Sequence, residues 1–345
     1  MADLMTFHLP ATVRGTPSDL DLGRAMIAAW RADGIFQVAA DAVQAQRIVT
    51  AMAAGRRFFS LPLEYKARHV SDLSYSGYLV RGGEGAAVEA DRSESFTVCK
   101  DVPAGDARVR EGWPCHGPVP WPDLEYRLAM RAFMDVAGGI GERLLRLVAL
   151  GLGLPAMDGL SRLTRDGWHH MRVLRVPARS AHARRGVGAH TGYGLVAIAA
   201  QDEAGGLYVR PPVPGEARPR DLPEAEGGAV MDEHEPWGLV RPAPGVLTVF
   251  PGDIMQFLTG GRLRSAPHKI ALADRERYAL IYVHEPGFET VLRPLDDPAG
   301  DAVHYGTYFT DMFTRCYPDR AATLRIQKEG GQERLERLRH GALPR

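Results

Sequence analysis

His190, His268 and Arg277 are the residues whose types and settings point most directly to chemistry. His190 lies in GAHTGYG, where flanking glycines permit tight backbone geometry before the apolar run LVAIAAQ. His268 closes FPGDIMQFLTGGRLRSAPHKI, which reads as strand, turn and strand. Nine residues on, Arg277 opens RYALIYV, a run whose neighbours would be buried. Two histidines presented from facing strands at a barrel mouth suit Fe(II), because imidazole is a good ligand and a facial arrangement leaves other positions open. Arg277 is then the natural partner of a dicarboxylate, since a planar, permanently charged guanidinium grips a carboxylate through two hydrogen bonds. Twelve histidines are present, and an arbitrary one is more often a surface or hydrogen-bonded core residue. On spacing alone, two unrelated histidines remain the competing reading.

Elements able to position these groups are legible around them. Asp19 or Asp21 is expected to cap a helix carrying Leu22, Met26, Ile27 and Trp30 at helical spacing, stopped by Gly34. A short strand, GIFQVAA, follows, and Asp41 to Phe59 and Pro122 to Leu152 read as helices. Gly138, Gly139 and Gly141 mark a kink or a close packing in the second of them. From about Trp168 the texture turns to short β-rich runs, HHMRVLRVP, LVAIAAQ, LYVRPP, VLTVFPG, IMQFLTG, HKIALA and YALIYVHEP, separated by turn residues. No helix of 10 to 15 residues separates them, so an antiparallel barrel or double sheet is expected. Val213 to Pro236 reads as a long surface loop, and helices at roughly Tyr305 to Cys316 and Arg320 to Arg339 close the chain. The expectation is one α+β domain over 1–345: mainly helical through 165, β-rich over 166–290, helical over 291–345.

Composition excludes several classes. Lysine plus arginine number 42, as do aspartate plus glutamate, so no global field favours nucleic acid or an anionic membrane. No apolar run approaches the ~20 residues that cross a bilayer, and the N-terminus lacks a basic start followed by an apolar core. Cys99, Cys115 and Cys316 form no zinc or redox spacing, which fits a reduced, cytoplasmic setting.

The stretches SDLSYSGY, FTVCKD, GWPCHGPVPWP, LTRDGWHHMRVLR, AAQDEAGGLYVRPP, FPGDIMQF, RERYA and RCYPDR resemble the bacterial ethylene-forming enzymes, within the isopenicillin N synthase-like group of Fe(II)/2-oxoglutarate oxygenases. The likeness runs from the first helix to the last. It implies a double-stranded β-helix, a jelly-roll or cupin-like core with flanking helices, and iron at its open end. It implies His190 and His268 as iron ligands, Arg277 as the salt-bridge partner of 2-oxoglutarate, and oxidative decarboxylation of that acid by dioxygen. Arg172, Tyr193, Arg315, Cys316, Tyr317 and Glu84 become candidates for a pocket holding L-arginine. A carboxylate at Glu84 suits a guanidinium, and Arg172 suits a carboxylate, of the keto acid or of the co-substrate. Taken without the family, Glu84 in GGEGAA reads as a solvated charge and Arg172 as a structural ion pair.

Two departures from that pattern stand out. After Glu84 the family carries Val-Thr, and this chain has Gly85 and Ala86, which removes a hydroxyl. The larger departure is Gly192: the family motif is His-x-Asp, and here the run is His190, Thr191, Gly192. Glycine offers no side-chain ligand, so the iron would lose an anionic donor and gain an empty position. His-x-Gly resembles the Fe(II)/2-oxoglutarate halogenases, in which chloride or another small anion such as azide fills that place and radical chemistry delivers it to the substrate. The alternatives are an ethylene-forming enzyme inactivated or weakened by loss of the ligand, or a non-catalytic binder of arginine or 2-oxoglutarate.

Other motifs carry less. Adjacent strand residues His169 and His170 point to opposite faces, so one is expected near the pocket and the other outside it. Trp113, Trp121 and Trp168 read as packing, because no basic cluster accompanies them. Nothing activates Cys316 as a nucleophile.

Overall fold

The computed structural model describes residues 4–81, 93–180, 186–213 and 236–339, with side chains through 336. Helix α1 (Pro17–Asp33) begins with Thr16, whose hydroxyl accepts from the Asp19 N–H while the Asp19 carboxylate accepts from the Thr16 N–H. This reciprocal box corrects the expected cap. Asp19 is the third helical residue rather than the cap, and Pro17 at the first position needs no N–H partner. Gly34, at φ +78°, ends the helix with its N–H on the Trp30 carbonyl. Helix α2 (Ala42–Phe59) is capped by Asp41; α3 (Leu63–Ala67) and α4 (Ala107–Arg110) are short; α5 (Leu124–Gly151) is capped by Asp123. Helix α5 runs unbroken through its glycines. A Cβ on Gly141 would lie 2.7 Å from the His284 ring, so that glycine marks close packing and not a kink.

Strands β1 (Thr6–Phe7), β2 (Phe36–Ala39), β3 (Gly77–Arg81), β4 (Ser93–Val98), β5 (His170–Val176), β6 (Val187–His190), β7 (Val196–Gln201), β8 (Leu207–Val209), β9 (Gly238–Val240), β10 (Val246–Pro251), β11 (His268–Ile270) and β12 (Arg277–His284) form two sheets. The larger runs β1-β2-β10-β7-β12-β5-β4-β3 and the smaller β6-β11-β8-β9. All pairings are antiparallel except β1 with β2. One face of the large sheet, with Val173, Ile198, Val249, Leu280 and Tyr282, shares a core with α1, α2 and α5. The other face meets the small sheet in two apolar clusters, one joining Ala197, Ala199 and Phe250 to Leu207, Val209 and Val240. Both faces of β5, β7, β10 and β12 are largely buried, which explains why their sequences are mostly apolar, with polar residues such as Arg172 and Arg277 where they face the cavity. This is the α+β jelly roll that the resemblance implies.

Within the N-terminal part the helices α1 to α5 are accompanied by β1 to β4, which enter the large sheet. The structure departs from the sequence reading in two further places. IMQFLTG, read as a strand, is helix α6 (Asp253–Leu258), inserted between β10 and β11 and buried along its whole length. The C-terminal segment after α7 (Tyr305–Cys316) is two helices, α8 (Ala321–Lys328) and α9 (Gly331–Arg339), broken at Gly330, whose φ is +66°. Among the described residues no helix is long and apolar enough to cross a membrane. The loop expected over Val213 to Pro236 lies almost wholly outside the described residues.

Candidate metal and keto-acid site

A cavity of about 130 Å³ opens between the two sheets, small against the ~300–1,000 Å³ of drug-sized ligand sites and suited to a small acid. Into it point His190 from β6, His268 from β11, Arg277 from β12 and Arg172 from β5, with Tyr317 beyond the end of α7. The histidines are brought together by strand register. His268 is the direct partner of His190 in the β6–β11 ladder, and the ring centroids are 4.3 Å apart.

Each imidazole is oriented by its own chain. Nδ1 of His190 donates to the Gly188 carbonyl at 2.8 Å, and Nδ1 of His268 donates to the Ala266 carbonyl at 2.9 Å. A carbonyl only accepts, so the proton sits on Nδ1 and Nε2 keeps its lone pair. Burial first, then the neighbouring His268, holds His190 down to about 3, and burial lowers His268 as well, so both rings stay neutral. Phe250 closes one side, its ring centroid 4.9 Å from that of His268.

Gly192 sits at the edge of this pair. Its carbonyl accepts from the Asp253 N–H at 2.8 Å and from Ser265 Oγ at 3.4 Å, which anchors the turn after β6. A Cβ built on Gly192 would have only Ala197 Cβ and His268 Cε1 near it, each at 3.9 Å. The nearest carboxylate by hydrogen bonding is that of Asp253, engaged at 3.2 Å by the hydroxyl of Thr191. Among the described residues no group of three histidine, cysteine or carboxylate side chains is placed to hold a metal.

At the other end of the cavity Arg277 is 3 % exposed, and its Nε and Nη1 have no hydrogen-bond partner. Burial holds its guanidinium down to about 10, with Asp202 only partly offsetting it. Unpaired buried donors are costly, and a carboxylate ligand would satisfy them. Gln201 lies on the same wall, its Nε2 tied to the Val240 carbonyl at 3.2 Å and its Oε1 without a partner. Arg172 is also enclosed, with Nε unpartnered, and its guanidinium lies 5.7 Å above the Tyr317 ring and 5.8 Å from that of Phe313. The described lining thus holds three arginines, Arg81, Arg172 and Arg277, and no carboxylate.

The remaining expectations divide. Tyr193 and Cys316 meet, with the phenol oxygen 3.5 Å from Sγ. Arg315 is exposed in the last turn of α7 and does not line the cavity. Glu84, Gly85 and Ala86 lie outside the described residues. Neither adjacent histidine reaches the cavity. His170 pairs with Glu285 at 2.8 Å in the core, and His169 stacks on His284 with centroids 4.3 Å apart. Trp168 is fully buried among His116, Phe288 and Phe309, as packing predicts. Sequence reasoning missed Arg81, Thr248 and Phe250 in the wall; alternation along VLTVFPG puts Thr248 and Phe250 on one face and was a signal for both.

Known proteins resemble this chain in sequence and in fold. The sequence pattern of the 2OG-Fe(II) oxygenase superfamily matches residues 168–286, and that of the N-terminal part of the non-haem dioxygenases in morphine synthesis matches residues 6–124. A 2-oxoglutarate-dependent ethylene/succinate-forming enzyme of Ralstonia nicotianae is 54 % identical over 98 % of this chain and 99 % of its own. A homoarginine-6-hydroxylase of Arabidopsis thaliana is 24 % identical, over 76 % of this chain and 69 % of that one. A full-length Neurospora crassa protein, in its crystal structure with α-ketoglutarate and thymine, superposes with a TM-score of 0.72 at 17 % identity, covering 91 % of this chain and 97 % of that one.

Proposed function

This chain belongs to the 2OG-Fe(II) oxygenase superfamily and uses Fe(II) and 2-oxoglutarate, and from that premise we propose that it is an oxygenase of the ethylene-forming type with His190 and His268 as its metal ligands. The observation that carries the assignment is the pair of neutral, Nδ1-pinned imidazoles facing one cavity whose far end holds the unpaired donors of Arg277. Donors of this type fit the metal: two imidazole nitrogens suit Fe(II), and no competing thiolate lines the cavity. Bound there, Fe(II) would supply the activation of dioxygen that oxidises 2-oxoglutarate to succinate and carbon dioxide. Arg277 grips the distal carboxylate of the keto acid, Arg172 takes a second carboxylate, and the apolar wall of Ala197, Ala199 and Phe250 keeps water from the reacting end.

The co-substrate is L-arginine or a related amino acid. The name of the 24 % identical homoarginine hydroxylase supports a guanidino amino acid, and Tyr193, Cys316 and Tyr317 form the wall near Arg172. Glu84 is the proposed partner of the guanidinium; Arg315, exposed on α7, is not retained in that pocket. Three free cysteines, two of them buried, support a reducing, cytoplasmic setting.

The lack of a side chain at Gly192, where a Cβ would meet only Ala197 and His268 at 3.9 Å, favours a specific form of this chemistry, in which a halide or azide occupies the position of the family's carboxylate. The described cavity lining holds no carboxylate, and the nearby Asp253 carboxylate is engaged by the hydroxyl of Thr191. The alternative is an enzyme weakened by the missing ligand, or a binder without turnover. Reconstitution with Fe(II), 2-oxoglutarate and L-arginine, with and without chloride, bromide or azide, tests these together when products are read by mass spectrometry. Succinate accompanied by an anion-bearing product supports the vacant-site oxygenase. Succinate or ethylene that does not depend on the anion sinks the halogenase-like form alone, and absence of all products in every condition sinks the enzymatic reading.

A further inference from the structure

The hydroxyl of Tyr193, the residue after Gly192, lies 3.5 Å from Sγ of Cys316 at the end of α7. Both side chains pack against the main core at its edge. The enclosed guanidinium of Arg172, whose Nε is unpartnered, lies near enough to act on Tyr193, Cys316 and Tyr317, and it also acts on His190. Neither side chain lines the cavity itself, but Tyr193 follows Gly192 and Cys316 precedes Tyr317, which does line it, so the contact lies beside the cavity wall. Cys99 and Cys115 are buried and free, and no disulfide joins the three cysteines, so the thiol of Cys316 has a phenol beside it rather than a second sulfur.

A thiol and a phenol are the most readily oxidised groups beside that wall, and held in contact they react at high effective concentration. We propose that Cys316 and Tyr193 become joined by a thioether when the protein turns over 2-oxoglutarate with no co-substrate in the pocket. The inference rests on the oxygenase reading above. The balance closes with dioxygen and 2-oxoglutarate as co-reactants. The S–H bond of Cys316 and one ring C–H of Tyr193 next to its hydroxyl break, and a carbon–sulfur bond forms. The two hydrogens and their electrons leave with one oxygen atom of dioxygen as water. The other oxygen atom enters succinate as 2-oxoglutarate loses carbon dioxide. With co-substrate present the same oxidising equivalents go to it, so the link records uncoupled turnover.

The test uses the full chain with Fe(II), 2-oxoglutarate and air, without co-substrate, and reads succinate, intact mass under reducing conditions and thiols titrated in denaturant. The expected result is succinate release, a mass lower by two hydrogens, a thiol count falling from three to two, and a Tyr193–Cys316 linked peptide that a thiol reductant does not cleave. Saturating co-substrate suppresses the link, and Cys316→Ser and Tyr193→Phe abolish the loss of hydrogens whatever their succinate yield. Succinate with unchanged mass, or with a gain of oxygen on either residue, overturns the thioether and leaves the oxygenase standing. Absence of succinate overturns the oxygenase reading, and the thioether falls with it.

Discussion

Gly192 and His268 are one side-chain atom apart: a Cβ on the glycine would sit 3.9 Å from Cε1 of the histidine, an ordinary van der Waals contact. The backbone there lies outside the left-handed region, so a side chain enters without strain. Gly192→Ala is expected to fold with stability unchanged or raised by up to about 1 kcal/mol, through loss of chain entropy in the unfolded state. Gly192→Asp is expected to raise Fe(II) affinity by about 10–100-fold, the range over which metal-site partners act, and to remove any dependence of product on halide. Metal titration by calorimetry under argon reads both variants. Equal affinity in wild type and Gly192→Asp would show that the side chain at 192 does not reach the metal.

Arg277 should separate binding from stability. Its buried, unpaired donors make the ligand-free protein less stable than an apolar isostere would. Arg277→Met is therefore expected to raise the melting temperature of the ligand-free protein while weakening 2-oxoglutarate binding by about 10–150-fold, the equivalent of one charged hydrogen-bonding group. Adding 2-oxoglutarate should raise the melting temperature of the wild type and not of the variant. Thermal scans with and without the keto acid decide the matter, and a variant still stabilised by the acid would remove Arg277 from the role.

Acid should destabilise the fold through its buried histidines, and two of these lie remote from the cavity. Burial holds His116 down to about 4 and His169 down to about 2, against ~6.5 in the unfolded chain. Between those values the unfolded state binds more protons than the folded one, so stability is present above ~6.5 and declines as pH falls. Each histidine contributes about 1.4 kcal/mol per pH unit in that window, so unfolding free energies from urea titrations at pH 7 and pH 5 should differ by roughly 2–4 kcal/mol on account of the pair. The His116→Gln variant should flatten part of that slope, and an unchanged slope would assign the acid sensitivity elsewhere.

Close packing of α5 on β12 gives a contrasting glycine. A Cβ on Gly141 would meet the His284 ring at 2.7 Å, and that ring is held by Tyr282 at 3.1 Å and Glu142 at 3.0 Å. Gly141→Ala is expected to cost about 1–3 kcal/mol through overpacking, read as a lower urea midpoint with unchanged dependence on denaturant. A neutral result would mean that the His284 ring moves aside freely.

The parts of the fold legible in the sequence were those governed by local rules. Asp41 and Gly34 mark helix ends through capping, and LVAIAAQ and RYALIYV are strands because period-2 burial on both faces leaves only apolar residues. Helix α6 was not legible, since six buried residues look alike in a strand or a helix and only the connection between β10 and β11 decides. Strands β3 and β4 were missed for a related reason: β3 pairs only with β4, and the strand that ties β4 into the sheet, β5, lies far along the chain. At the site, residue type and setting pointed to His190, His268 and Arg277, and the family resemblance added Arg172, whereas the exposure of Arg315 depends on the rotation of α7 about its axis, which no motif encodes.

Strand β11 is hydrogen-bonded on both sides, with His268 opposite His190 in β6 and opposite Val209 in β8, and its register on the β6 side shifts between His268 and Ile270. A slip of one residue would turn His268 away from the cavity, so the β8–β11 ladder acts as the clamp that fixes the spacing of the two imidazoles. On the ligation proposed above, the ligand-free protein would already be folded around its metal, and capture would need little ordering of the chain. Substitutions in β8 or β9 that loosen that ladder would accordingly behave as metal-affinity mutations, although neither strand contributes a donor.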